Sequence, residues 1–196
     1  MTRRVVVTGM GAVTPLGNNV EQFWNGLISG RSGIDRVTRF NTENFKCKIG
    51  GEVKDFDPLM YIDRKEAKRM DRFVQFAVAA TTMALNDAGL KIEGDTALQT
   101  GVMIGSGIGG MQTLEDQSLM FLEKGPNRIS PFFIPMMIPD MASGHVSILT
   151  GAKGPNATVL SACASASHSI AVSFELIRSG HAEIMITGGT EAAITG

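Results

Sequence analysis

The chain has 196 residues, 43% apolar and 19% charged, with a formal net charge of −1. That balance excludes a disordered chain and fits one sizeable domain, or part of a larger one. Near-neutrality argues against nucleic-acid binding by the whole molecule, and no apolar run approaches the roughly 20 residues of a membrane span.

In chain order, Arg4–Thr8 is a short β-branched run that reads as a buried strand, ended by a tight turn at Gly9-Met10-Gly11. Asn19 can cap a helix that presents Val20, Phe23, Trp24 and Leu27 on one face and closes at Gly30. Residues 31–58 are irregular, with a strand expected near Lys48–Val53. Asp71 can cap the clearest helix, in which Phe73, Phe76, Ala77, Ala80, Met83, Ala84 and Ala88 recur at helical spacing before Gly89.

Gln99–Ile104 reads as a strand running into Gly105-Ser106-Gly107-Ile108-Gly109-Gly110, with a helix through Met111–Leu122. Pro131–Met141 is apolar and rich in Pro and Met, and Asp140–Leu149 is expected to be helical. Ala157–Leu160 is a strand leading to Cys163. Ile170, Phe174 and Ile177 mark a further helix face, ended by Gly180, and Glu183–Thr187 is a last strand before Gly188-Gly189. Strands alternate with helices, which predicts an α/β fold with a mainly parallel sheet covered on both faces.

Cys47 and Cys163 are the only cysteines, without CxxC spacing or a nearby histidine cluster. No disulfide framework or metal site is expected, and reduced thiols fit a cytoplasmic compartment. The apolar run after Arg3-Arg4 is too short for a signal peptide.

Cys163 follows a strand and a turn of small residues and opens a helix. Free N–H groups and the helix dipole there would stabilise a thiolate and a developing oxyanion. A buried, inert cysteine is the competing reading. Gly105, Gly107 and Gly110 give GxGxxG spacing, but no basic residue follows nearby, and Glu115 is too near to bind a ribose. A glycine loop carrying Ile108 as a gate over an apolar pocket, or an ordinary strand-to-helix turn, are the readings left. The 131–141 segment suits an alkyl-chain wall, a subunit interface or core filling. Lys65, Lys68, Arg69 and Arg72 fall on one helical face and form a docking patch for an acidic partner or a solvated face. His168 is expected to be a packing or polar-core residue rather than the base.

Ser161-Ala162-Cys163, the preceding Gly154-Pro155 and the later Gly188-Gly189-Thr190-Glu191 resemble the nucleophile region of β-ketoacyl-acyl-carrier-protein synthases. Val5-Val6-Val7-Thr8-Gly9-Met10-Gly11 with Thr14-Pro15-Leu16-Gly17 resembles their N-terminus, and Gly105–Gly110 most resembles the type II synthases. The resemblance implies a thiolase-like αβαβα layered fold, assembled as a homodimer, of which residues 1–196 are the N-terminal part and the C-terminal half is absent. It implies that Cys163 takes an acyl group from acyl carrier protein, its own N–H serving the oxyanion hole, before decarboxylative condensation with malonyl-acyl carrier protein. Gly107, Ile108, Gly109, Met111 and Phe133 would form the acyl pocket and its gate. Lys65, Lys68 and Arg69 would receive the carrier protein. No cofactor is implied, because substrates ride on the phosphopantetheine arm of the carrier. The catalytic histidines and lysine of such enzymes lie beyond residue 196, so the chain alone is expected not to complete condensation. A coenzyme-A-dependent condensing enzyme and a non-catalytic partner subunit are the alternatives.

Overall fold

The computed structural model describes residues 3–196. Helix α1 (Val20–Ile28) begins where the Gln22 N–H donates to the Asn19 side chain. Its apolar face is not sealed, since Trp24, Leu27 and Ile28 stand exposed. A two-stranded antiparallel ribbon pairs β1 (Asp35–Arg36) with β2 (Ile49–Gly50), inside the expected Lys48–Val53 strand but shorter. Glu52 fastens the bend between them, its buried carboxylate accepting from Thr38 N–H, Thr38 Oγ1 and Arg39 N–H at 2.9–3.0 Å. Burial pushes that carboxyl up. The hydrogen bonds from Thr38 and Arg39 outweigh burial and hold it below its ordinary value.

Two short-range signals set the next elements. Asp63 caps α2 (Arg64–Ala67), and Asp71 caps α3 (Arg72–Ala88), which ends at Gly89 with φ +60°. Each aspartate satisfies N–H groups that a helix start leaves unpaired. Phe73, Val74, Ala77 and Val78 of α3 form the core with Val102, Ile104, Ala142 and Val146.

After α4 (Asp95–Gln99) comes β3 (Thr100–Gly105), buried along its whole length. It is the middle strand of a parallel sheet in the order β4-β3-β5, with β4 at Asn156–Ala157 and β5 at Ile184–Gly189. Between them lie α5 (Met111–Lys124), α6 (Phe133–Met137), α7 (Met141–Thr150) and α8 (Ser165–Arg178). Val102 and Ile104 point into the α3–α7 core. On the other face a Cβ at Gly105 would stand 2.5 Å from the Ser165 carbonyl oxygen, so α8 approaches the sheet closely. The expected parallel sheet, covered on both faces at β3, is therefore present.

Three expectations fail. Arg4–Thr8 is neither paired nor buried: Val6 and Val7 are 58% and 81% exposed. β-branched residues favour extended backbone, but a strand needs a neighbour, and among the described residues none lies beside this one. The strand before Cys163 is two residues long, not four. The basic residues do not share one helix, because α2 stops at Ala67 and α3 restarts at Arg72.

Candidate active site at the carboxyl end of the sheet

All three parallel strands deliver their following loops to one end of the sheet, the usual place for a site in such folds. From β4 the chain reaches Cys163 within a tight turn, Ala162–Ala164, rather than inside a helix; α8 starts two residues later. The thiol is exposed, which removes the buried-cysteine reading.

The turn is built around Ala162, whose φ of +50° is a conformation that L residues adopt at a cost. Ser165 braces it. Its buried hydroxyl accepts the Ser161 N–H at 2.9 Å and donates to the Ala162 carbonyl at 2.7 Å. The Ala164 N–H closes the turn on the Ser161 carbonyl at 3.0 Å. Among the described residues the Cys163 N–H has no acceptor. His168 is exposed rather than in the core, with Nδ1 3.3 Å from Ser161 Oγ.

From β3 comes the glycine loop, and its amides are already taken. The Glu191 carboxylate accepts the N–H groups of Gly107 at 2.7 Å and Ile108 at 3.1 Å. A loop whose donors face an internal carboxylate has no vacancy for a phosphate, whatever its glycine spacing. A Cβ at Gly107 would lie 3.6 Å from Ala162 Cα, so loop and nucleophile turn touch. Ile108 is 54% exposed.

The far side of the loop is welded to the 131–141 segment. Gly110 N–H donates to Met137 O at 2.8 Å, and Gly109, with φ +80°, leaves only 2.5 Å between a would-be Cβ and that same oxygen. α5 then starts with Met111, and buried Asp71 accepts from both the N–H and the hydroxyl of Thr113 at 2.9 and 2.6 Å. One carboxylate thus tends the N-termini of α3 and α5.

Of the residues expected at the site, Gly107 lies against the turn that carries Cys163, and Ile108 and Gly109 share its loop. Met111 and Phe133 sit on α5 and α6, which pack together, and Phe133 is half-buried. Lys65 and Lys68 are exposed; Arg69 is half-buried, 3.6 Å from Glu66 and 4.8 Å over the Phe132 ring. Arg72 leaves the patch altogether, donating to Val53 O and lying over Phe56 and Phe76.

Two concavities stand elsewhere. One of about 640 Å³ is lined by Thr14–Asn19, Arg31, Asp35 and Lys54, and one of about 300 Å³ lies between α3 and α7. Among the described residues no three His, Cys, Asp or Glu side chains converge as a metal site would, and no helix is long and apolar enough to cross a membrane.

Sequence reasoning gave Ser165 and Glu191 no role. For Glu191 a signal existed: once β3 and β5 pair with Gly105 opposite Gly189, two further residues bring Gly107 level with Glu191. Ser165 carries no such mark, because its role depends on the unusual backbone at Ala162.

Comparison with known proteins identifies the architecture. The chain is 56% identical over 193 residues to 3-oxoacyl-[acyl-carrier-protein] synthase 2 of Synechocystis sp., covering 98% of this chain and 46% of that protein. It superposes on the ishigamide ketosynthase/chain length factor with a TM-score of 0.90 at 33% identity, over 98% of this chain and 48% of the other. A type II PKS acyl-carrier protein in complex with its ketosynthase gives 0.85 at 26% identity, over 98% and 52%. The fold is therefore the thiolase-like one expected, and the chain spans about half the length of the curated relatives it matches. The family model for the beta-ketoacyl synthase N-terminal domain matches residues 2–196, and the chain belongs to that family.

Proposed function

We propose that this chain is the N-terminal part of a condensing acyltransferase of fatty-acid chain elongation, with Cys163 carrying the acyl group as a thioester. The observation that carries this reading is an exposed thiol on a braced turn, with the Ile108 loop pinned against that turn. The Cys163 thiolate attacks the carbonyl carbon of an acyl thioester on the phosphopantetheine arm of acyl carrier protein. A carbon–sulfur bond forms to Cys163, the carrier's carbon–sulfur bond breaks, and the carrier thiolate leaves and takes up a proton. A malonyl group on a second carrier then loses carbon dioxide. The electron pair left behind attacks the Cys163 thioester, forming the new carbon–carbon bond and releasing the thiolate.

The free Cys163 N–H supplies one donor to the oxyanion of each tetrahedral intermediate. Gly107, Ile108, Gly109, Met111 and Phe133 form the mouth and wall of the acyl pocket, Phe133 reaching toward the partner of a homodimer. Exposed Lys65 and Lys68, with Arg69, receive the acidic carrier protein. The bases for decarboxylation belong to a C-terminal half beyond residue 196, and the enzyme works in the cytoplasm without a resident cofactor.

The test is intact mass after exposure of the full-length polypeptide to octanoyl-acyl carrier protein. The expected result is a single octanoyl adduct, lost in Cys163→Ala. An equal adduct in Cys163→Ala, or none in the unaltered protein, overturns the reading.

A further inference from the structure

Three donors of the glycine loop converge on one side chain. Glu191 Oε2 accepts the Gly107 and Ile108 N–H groups at 2.7 and 3.1 Å, and Oε1 accepts the Ser106 hydroxyl at 3.4 Å. Ser106 Oγ in turn accepts the Gly109 N–H at 3.1 Å, so four consecutive residues hang from the carboxylate directly or at one remove. Glu191 is itself held. The Thr190 N–H donates to Gly105 O at 2.9 Å, and the Thr190 hydroxyl donates to Phe73 O at 2.6 Å, fixing the backbone before Glu191 to β3 and to the core helix α3.

What this arrangement positions is the contact between loop and nucleophile turn. A Cβ at Gly107 would stand 2.9 Å from Glu191 Oε2 and 3.6 Å from Ala162 Cα, so carboxylate, loop and turn meet at one point. Packing of the Ile108 side chain does not hold the loop there, because that residue is 54% exposed. Hydrogen bonds do, and those to an ionised acceptor are the stronger kind.

We propose that Glu191 is a positioning residue for acyl transfer, holding the Gly107–Ile108 backbone beside the Cys163 turn and so setting where Ile108 stands at the mouth of the acyl path. The inference rests on the reading of Cys163 as the acyl-carrying thiol. Glu191 acts through the loop backbone and forms no bond to substrate. Its geometry also separates hydrogen bonding from charge. One oxygen takes both N–H groups, so a glutamine that turns its amide oxygen to that corner keeps both, with its amide nitrogen against Ser106 Oγ. A methionine fills similar space and accepts neither.

The test uses Glu191→Met and Glu191→Gln in the full-length polypeptide, reading amide hydrogen exchange and the rate of octanoyl transfer from octanoyl-acyl carrier protein to Cys163. In E191M the Gly107 and Ile108 amides exchange about tenfold faster while α3 amides keep their protection, and octanoyl transfer slows about ten- to a hundredfold. E191Q restores both quantities to within about threefold of the unaltered protein. Unchanged loop exchange or unchanged transfer in E191M overturns the inference, as does E191Q as impaired as E191M. Equal loosening of α3 and the loop in E191M assigns Glu191 to general stability and overturns it too. An unaltered protein that takes no octanoyl group at Cys163 refutes the thioester reading itself, whereas an acylated one matched by E191M refutes the Glu191 inference alone.

Discussion

Removing the Asp71 carboxylate is expected to cost more than the loss of a helix cap. In Asp71→Ala, α3 loses its N-cap, where the Phe73 N–H lies 3.4 Å from Oδ1, worth about 1 kcal/mol. The larger loss is at α5. Thr113 is buried, and its N–H and hydroxyl lose a charged acceptor at 2.9 and 2.6 Å. Hydrogen bonds to charged groups contribute about 1.5–3 kcal/mol, and donors left buried without a partner add a desolvation cost. The surroundings relax around the freed donors, so the expected loss is less than the strict sum of these parts. It is about 3–5 kcal/mol, the range met when one partner of a buried charged pair is deleted. With a urea m-value of about 2 kcal/mol/M, the unfolding midpoint falls by about 1.5–2.5 M at unchanged m. Asp71→Asn keeps one oxygen, enough for Thr113 if the amide turns, and loses roughly half as much. Urea unfolding followed by circular dichroism, with Thr113→Ala completing a double-mutant cycle, measures each part. A loss below about 1 kcal/mol in Asp71→Ala, or zero coupling to Thr113, refutes the claim that one carboxylate holds both helix starts.

Ala162→Gly relieves the left-handed strain but loosens the unfolded chain, leaving stability within about 1 kcal/mol of the original, whereas Ala162→Val loses about 1–3 kcal/mol. Thermal unfolding of the pair checks this. Gly109→Ala forces a Cβ to 2.5 Å from a backbone oxygen at φ +80° and is expected to destabilise by about 2 kcal/mol or more, read as a fall in urea midpoint. Glu52 has a folded-state pKa below its unfolded value near 4.5, so its contribution is complete above that pH and fades as pH falls through the folded value. Glu52→Gln should therefore flatten the pH dependence of stability below about pH 4.5, and an unchanged acid limb of the urea midpoint would count against it.

What could be read in advance depended on how local each cause was. The α3 helix was legible from end to end because its cap, its apolar spacing and its closing glycine lie within 19 consecutive residues. The break between α2 and α3 was legible in principle, since Asp63 and Asp71 each mark a helix start, yet the basic residues between them suggested one continuous face. Arg4–Thr8 misled because side-chain shape specifies extended backbone but not a neighbour to pair with. At the candidate site, the position of Cys163 at the end of a strand and the small residues around it were visible. The strain at Ala162 and its brace were not, because Ser165 is one small residue among several. Glu191 lies 84 residues from Gly107, and only the pairing of β3 with β5 brings them together.

That pairing makes the molecule unequally tolerant of change. Between Thr100 and Gly105 on one side, and Ile184 and Gly189 on the other, the strands run level residue by residue. Deleting one residue from either would shift its end by about 3.3 Å and turn every side chain in it to the opposite face. The carboxylate would then miss the amides it holds, though every original side chain but one were still present. Loops such as 31–34 can lengthen or shorten without reaching the thiol. Along β3 and β5 residue number matters as well as residue identity, so length variation among functional relatives should avoid these two strands.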